Sequence, residues 1–135
     1  MLGVVEPMSN GIGGDLFCIY WDNKQKKLFG LNASGRSPHK ATREYFAEHG
    51  HKQIPLFGPL SWSVPGCVSG WQALNDRFGS MALKELLAPS ILTAREGFPV
   101  SEVIAHYWKV SAPSLAQYPG SAKTYLIDDH RPPST

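Results

Sequence analysis

Cys67 is the residue whose position most directly suggests chemistry. It follows Pro65-Gly66 and opens a stretch of helical periodicity, and a helix amino terminus lowers a thiol's pKa and enriches the reactive thiolate. A nucleophilic cysteine also needs a base. His39, His49, His51, His106 and His130 are all in the chain, and no spacing selects one of them. A structural role is the stronger reading for Cys67. His49 and His51 are the nearest pair that could ligate a metal, but they fall at a helix end and in a loop without a third ligand nearby, so no metal site is expected. Ser34 and Ser69 both miss the G-x-S-x-G spacing of an exposed nucleophilic serine. The turn Gly11-Ile12-Gly13-Gly14 could converge backbone amides on an anion. It lacks the Lys-Ser/Thr of a phosphate loop and the spacing of a dinucleotide fingerprint, which favours a tight turn into a buried strand. No cofactor is expected from any of these groups.

The elements that must position these residues begin with a hairpin. Leu16-Phe17-Cys18-Ile19-Tyr20-Trp21 and Leu28-Phe29-Gly30-Leu31 are apolar runs rich in aromatic side chains, separated by a polar, lysine-rich turn. Such runs fit a pleated, half-buried surface and predict adjacent antiparallel strands. The turn is longer than two residues, so the register stays open. Residues 40–49 have helical composition, with Gly50 as a left-handed stop, and residues 62–64 are a short strand candidate. Val68, Trp71, Leu74 and Phe78 share one helical face closed by Gly79. Leu83, Leu86, Leu87, Ile91 and Ala94 form a second stripe ending at Gly97, in which Pro89 is expected to kink or divide the helix. Ser101 is a candidate N-cap with Glu102 in the first turn, and Val103, Ile104, Tyr107 and Trp108 are the expected buried face. Pro113, Pro119 and Pro132-Pro133 predict a tail of turns and extended chain. A hairpin followed by helices is an α+β arrangement.

Composition bounds the partners. The 42% hydrophobic and 18% charged content suits one globular unit or part of a larger one, and a net charge of +2 argues for neither nucleic acid nor a membrane surface. No apolar run approaches the roughly 20 residues that span a bilayer. No secretory signal is visible, as Met1 runs directly into Leu2-Gly3-Val4-Val5. The two cysteines, Cys18 and Cys67, could pair, but their separation does not show that they meet. Cys18 lies in an apolar run, where a free thiol behaves as a small hydrophobe, and two free thiols are expected.

Three blocks carry a resemblance. Val5-Glu6-Pro7-Met8-Ser9-Asn10-Gly11-Ile12-Gly13-Gly14-Asp15 resembles the V-x-P-x-x-x-G-I-G-G pattern near the amino end of γ-glutamyltranspeptidases. Ser63-Val64-Pro65-Gly66 with Gly70-Trp71, then Leu86-Leu87-Ala88-Pro89-Ser90-Ile91 through Glu96-Gly97-Phe98-Pro99-Val100, follow in the family's order. The likeness covers roughly residues 2–105. It implies that residues 1–135 are a single, incomplete segment of the large, amino-terminal subunit of an N-terminal-nucleophile hydrolase, one edge of a four-layer αββα sandwich. In that family the precursor cuts itself to expose a catalytic Thr, which is expected beyond this chain, in a small subunit from the same precursor. Cys67 does not match the family nucleophile. The resemblance also implies that the hairpin and the helix faces carrying Trp71 and Trp108 pack against other parts of the enzyme. A leader commonly precedes this point in the family, which allows a periplasmic or secreted location.

Arg36 is the candidate substrate-binding residue. The family places an arginine in an R-E-x-A-P-like segment after the second strand, where it binds the substrate's α-carboxylate. Guanidinium suits that task, since it grips a carboxylate through two parallel hydrogen bonds. Here the segment reads Ser34-Gly35-Arg36-Ser37-Pro38. Counted back from Pro38, the family's arginine position holds Ser34, with Arg36 two residues later. That departure suits a divergent branch acting on a related amide, and a solvated turn arginine stands beside it as the plainer reading. The function implied is γ-glutamyl or related amide hydrolysis and acyl transfer, with this chain alone inactive. The rival is a stand-alone, non-catalytic α+β binding module.

Overall fold

The computed structural model describes residues 1–134, and Thr135 lies outside them. The chain gathers into two compact units, one of Ile12–Ala82 and one of Met1–Gly11 with the chain from Leu83 onward. The α+β expectation is met by a two-stranded antiparallel hairpin followed by helices.

In the first unit, β1 (Leu16–Asp22) pairs with β2 (Lys27–Ala33), from Leu16 opposite Ala33 to Asp22 opposite Lys27. The register that the sequence left open is set at the turn. The Asp22 carboxylate accepts from the amides of Lys24 (2.8 Å) and Gln25 (3.2 Å), and Lys26 takes a left-handed conformation (φ 51°) to bring the chain back. α2 (Arg43–Glu48) is shorter than the predicted 40–49. The Thr42 hydroxyl caps it by accepting from the Tyr45 amide, and Gly50 follows it at φ 76°. Residues 62–64 form no strand, because Val64 makes a single backbone bond to Arg36 rather than a ladder.

α3 (Cys67–Phe78) lies against the hairpin. Gly70 allows the close approach, since a Cβ there would stand 2.6 Å from both the Ala33 Cβ and a Leu16 methyl. At the other end, Phe78 sits 4.2 Å from the Tyr20 ring and 5.1 Å from Phe29, with the Arg77 guanidinium over Phe29. Among the described residues, one hairpin face is covered and the other is not. Leu16, Cys18, Tyr20, Phe29, Leu31 and Ala33 face inward, whereas Phe17 and Ile19 on the opposite face are 68% and 79% exposed.

The second unit is helical: α1 (Leu2–Val5), α4 (Leu83–Glu96), α5 (Glu102–Leu115) and α6 (Pro119–Tyr125). α4 is one helix through Pro89, not two. A proline removes one intrahelical bond, and the carbonyl of Pro89 itself is taken up by the Thr93 hydroxyl at 2.9 Å. Its half-buried side is Leu83, Leu87, Ser90 and Thr93, so Leu86 and Ile91 of the expected stripe face outward. Ser101 caps α5 as expected, accepting from the Ile104 amide. The buried face differs from the expected one, because Val103 and Tyr107 are exposed and the face runs through Ile104, Trp108, Ala112 and Leu115 at helical spacing. Trp108, at 6% exposure, forms a core with Ala112, Ala122 and Leu126, and its indole N–H donates to the Tyr125 carbonyl at 2.8 Å. Trp108 therefore finds its partners within this chain. The expected irregular tail is helical as far as Tyr125. Pro119 opens α6 at its first position, where the missing amide costs nothing. Among the described residues no helix is long and apolar enough to cross a membrane.

Candidate functional site

Three segments that are far apart in sequence meet at the carboxyl end of β2. The first is the exit of the glycine turn, Gly14-Asp15. The second is Ser34-Gly35-Arg36, leaving β2, and the third is Ser63-Val64-Pro65-Gly66, leading into α3. Asp15 joins them, its Oδ1 accepting from the Gly35 amide (3.1 Å) and from the Ser63 hydroxyl (2.9 Å). The Val64 amide donates to the Arg36 carbonyl at 2.9 Å. Gly35 has to be glycine for this approach, because a Cβ would fall on the Val64 carbonyl oxygen. The Gly14 carbonyl accepts from the amides of Gly66 (3.1 Å) and Cys67 (2.9 Å), which closes the start of α3.

Electrostatics follow from those bonds. The Gly35 amide, then the Ser63 hydroxyl, holds the Asp15 carboxyl below the usual carboxylate range against the opposing effect of lost water, and the Ser34 hydroxyl adds a smaller pull. At the hairpin turn, loss of water pushes Asp22 upward, but the amides of Gln25 and Lys24 outweigh it and leave the group lowered. Arg36 contrasts with both. It is exposed, its peptide carbonyl is engaged, and its guanidinium has no hydrogen bond or ion pair among the described residues.

The other candidates occupy structural positions. Gly14 of the glycine turn presents its carbonyl to the start of α3, and a Cβ at Gly11, Gly13 or Gly14 would meet nothing within 4 Å, so crowding is not what these glycines relieve. Cys67 is buried at 5% exposure, and both cysteines are free thiols. The Ser69 hydroxyl donates to the Gly66 carbonyl at 2.8 Å, and that of Ser34 turns to the Gly35 carbonyl. His49 stacks on Tyr45 at 4.1 Å, whereas His51 meets the edge of Phe46, so each histidine packs on its own aromatic neighbour. Among the described residues no three His, Cys, Asp or Glu side chains gather as metal ligands would. Asp15 and Ser63 were not singled out from the sequence. Their only signal was membership of two motif blocks, 48 residues apart, that the fold brings together.

Comparison with known proteins places the chain in a family. The sequence profile described as Gamma-glutamyltranspeptidase matches residues 1–135. A glutathione hydrolase proenzyme of Bacillus subtilis (strain 168) is 35% identical over 108 residues, covering 77% of this chain and 18% of that protein. An oxamate amidohydrolase proenzyme of Klebsiella pneumoniae is 34% identical over 137 residues, covering 97% of this chain and 25% of the relative. The chain thus spans about a quarter or less of the curated relatives it matches. Among solved structures, the Helicobacter pylori γ-glutamyltranspeptidase superposes with a TM-score of 0.87 at 28% identity, over 97% of this chain and 38% of that one. With the profile matched along its whole length and the hairpin-and-helix arrangement reproduced, this chain belongs to the γ-glutamyltranspeptidase family.

Proposed function

We propose that this chain forms part of the substrate-facing scaffold of an amide hydrolase and acyltransferase, and that Arg36 binds the substrate's carboxylate. The nucleophile is the amino-terminal Thr that precursor cleavage exposes in this family, carried by a small subunit of the same precursor. Its hydroxyl attacks the amide carbonyl while its own α-amino group takes the proton. Backbone donors stabilise the oxyanion. Collapse expels the amine, which receives that proton and leaves an ester on the Thr. Water or a second amine then takes the acyl group. The scissile amide is short and carries a free carboxylate, a property shared by glutathione and oxamate, the compounds named for two of the relatives.

One observation carries the assignment of Arg36. Its backbone is fixed by neighbours on both sides, through the Gly35 amide and its own carbonyl, while its guanidinium is uncommitted and exposed. A charged fork on a fixed backbone is pre-organised for a planar anion, so less entropy is lost on binding.

In the full-length enzyme, Arg36→Ala should lower kcat/KM by roughly 10- to 150-fold for a substrate bearing the free carboxylate, the equivalent of about 1.5–3 kcal/mol for a charge-assisted contact. The carboxamide analogue should change little. Arg36→Lys should recover only part, since ammonium lacks the planar fork. Equal losses on both substrates, or none on either, would remove Arg36 from the site. The 135-residue chain by itself should release no product from a γ-glutamyl anilide. A rate that tracked its concentration would return attention to Cys67.

A further inference from the structure

We propose that Asp15 is the positioning residue that sets Arg36 for carboxylate binding, an inference that rests on the reading of Arg36 given above. The Asp15 carboxylate reaches across 20 residues to the amide preceding Arg36 and across 48 residues to the hydroxyl preceding Val64. Val64 in turn donates to the Arg36 carbonyl. One carboxylate oxygen therefore holds both strands of chain that flank Arg36. Gly35 lies directly against the Val64 carbonyl, where a Cβ would collide, so the two segments are in close backbone contact beside these bonds.

The chemistry of the donors matters as much as their placement. Oδ1 of Asp15 accepts from a neutral amide and a neutral hydroxyl, and the carboxylate forms no ion pair with Arg36. The loop is thus anchored without neutralising the cation that would meet the substrate. A basic anchor could not accept these two protons, and an aliphatic one would leave the Gly35 amide and the Ser63 hydroxyl to water. In either case the loop would sample positions from which the guanidinium misses the carboxylate. A displacement near 1 Å is enough to cost up to about 100-fold at a geometrically demanding site.

The test uses the full-length enzyme with two substrate pairs, a γ-glutamyl anilide with its α-carboxamide and oxamate with oxamide, read for whichever pair is turned over. Asp15→Ala should raise KM for the carboxylate member by at least about 5-fold, up to the full loss seen in Arg36→Ala, with kcat little changed. The carboxamide member should be unaffected. Asp15→Asn should retain most of the wild-type KM, because its amide oxygen accepts the same two hydrogen bonds. Adding Asp15→Ala to Arg36→Ala should cost nothing more on the carboxylate substrate, since no guanidinium is left to position. Should Asp15→Ala fail to mature, Ser63→Ala removes one donor and should show the same KM pattern at smaller size. Equal losses on both members of a pair, or additive losses in the double variant, overturn the proposal. If Arg36→Ala discriminates between the members and neither Asp15→Ala nor Ser63→Ala does, only the positioning role falls. If Arg36→Ala does not discriminate, the carboxylate-binding reading falls first.

Discussion

Trp108 and Trp21 are the same side chain on two regular elements, yet one is 6% exposed and the other 52%. The difference lies in how many faces each element must cover. On α5 the turn into α6 folds Ala122 and Leu126 over the face of Trp108 and Ala112, with the indole N–H satisfied inside the same unit, while Val103, Tyr107 and Val110 stay exposed. A strand has two faces. In the hairpin, α3 covers one of them, leaving Phe17, Ile19, Trp21 and Leu28 in water on the other. An isolated two-stranded hairpin is marginal in water, so the second face marks where the family's further layer is expected to lie. The core around Trp108 closes within its own unit, whereas the outer hairpin face has no cover among the described residues.

Substitutions should divide along that line. Trp108→Ala should cost about 3–5 kcal/mol in the chain itself, through lost burial, a cavity and an orphaned Tyr125 carbonyl. A stability loss in urea of less than about 1 kcal/mol would mean that Trp108 does not anchor a core closed within the chain. On the outer hairpin face, Ile19→Ala should change the stability of the isolated chain by no more than about 0.5 kcal/mol, as for an ordinary surface site. The same change in the full-length enzyme should cost about 2–4 kcal/mol if a further layer buries Ile19. Equal small effects in both would leave that face as true surface.

Association should follow the same face. The isolated chain should self-associate and bind a hydrophobic dye, and Phe17→Lys with Ile19→Lys should shift sedimentation toward monomer and reduce dye binding. Unchanged sedimentation would place the contact elsewhere. The smallest effect is expected from pH. Asp15 and Asp22 both have folded pKa values below the ordinary 3.8. Their contribution is fully present above that value and is lost as pH falls below it through the lowered values, because the unfolded state then binds more protons. Hydrogen exchange below pH 4 should therefore loosen amides of the hairpin turn and of Gly35 before those around Trp108. Simultaneous loosening would show that the two carboxylates do not anchor their unit locally.

Much of this architecture was present in local pattern. Two apolar runs rich in aromatic side chains and separated by a polar turn predicted the hairpin, and helical spacing predicted α3 and α4. Gly50, Gly97 and Ser101 ended or began helices as their backbone preferences require. Each of these depends on neighbours within about a turn, which is the range over which sequence and conformation are directly coupled. The three γ-glutamyltranspeptidase motif blocks, in their order, were also legible without coordinates.

Tertiary structure decided the rest. Pro89 stays inside one helix although its missing amide removes a bond that the helix would otherwise make, and Pro119 starts another at a first position where no partner is lost. Val103 and Tyr107 share a periodicity with Trp108 but not its burial, since the core lies where α6 closes over α5. The Asp15 junction was the least legible feature. A carboxylate bonded to residues 20 and 48 positions away leaves no periodic trace, because the contact is chosen by the path of the whole chain and not by the residues beside it.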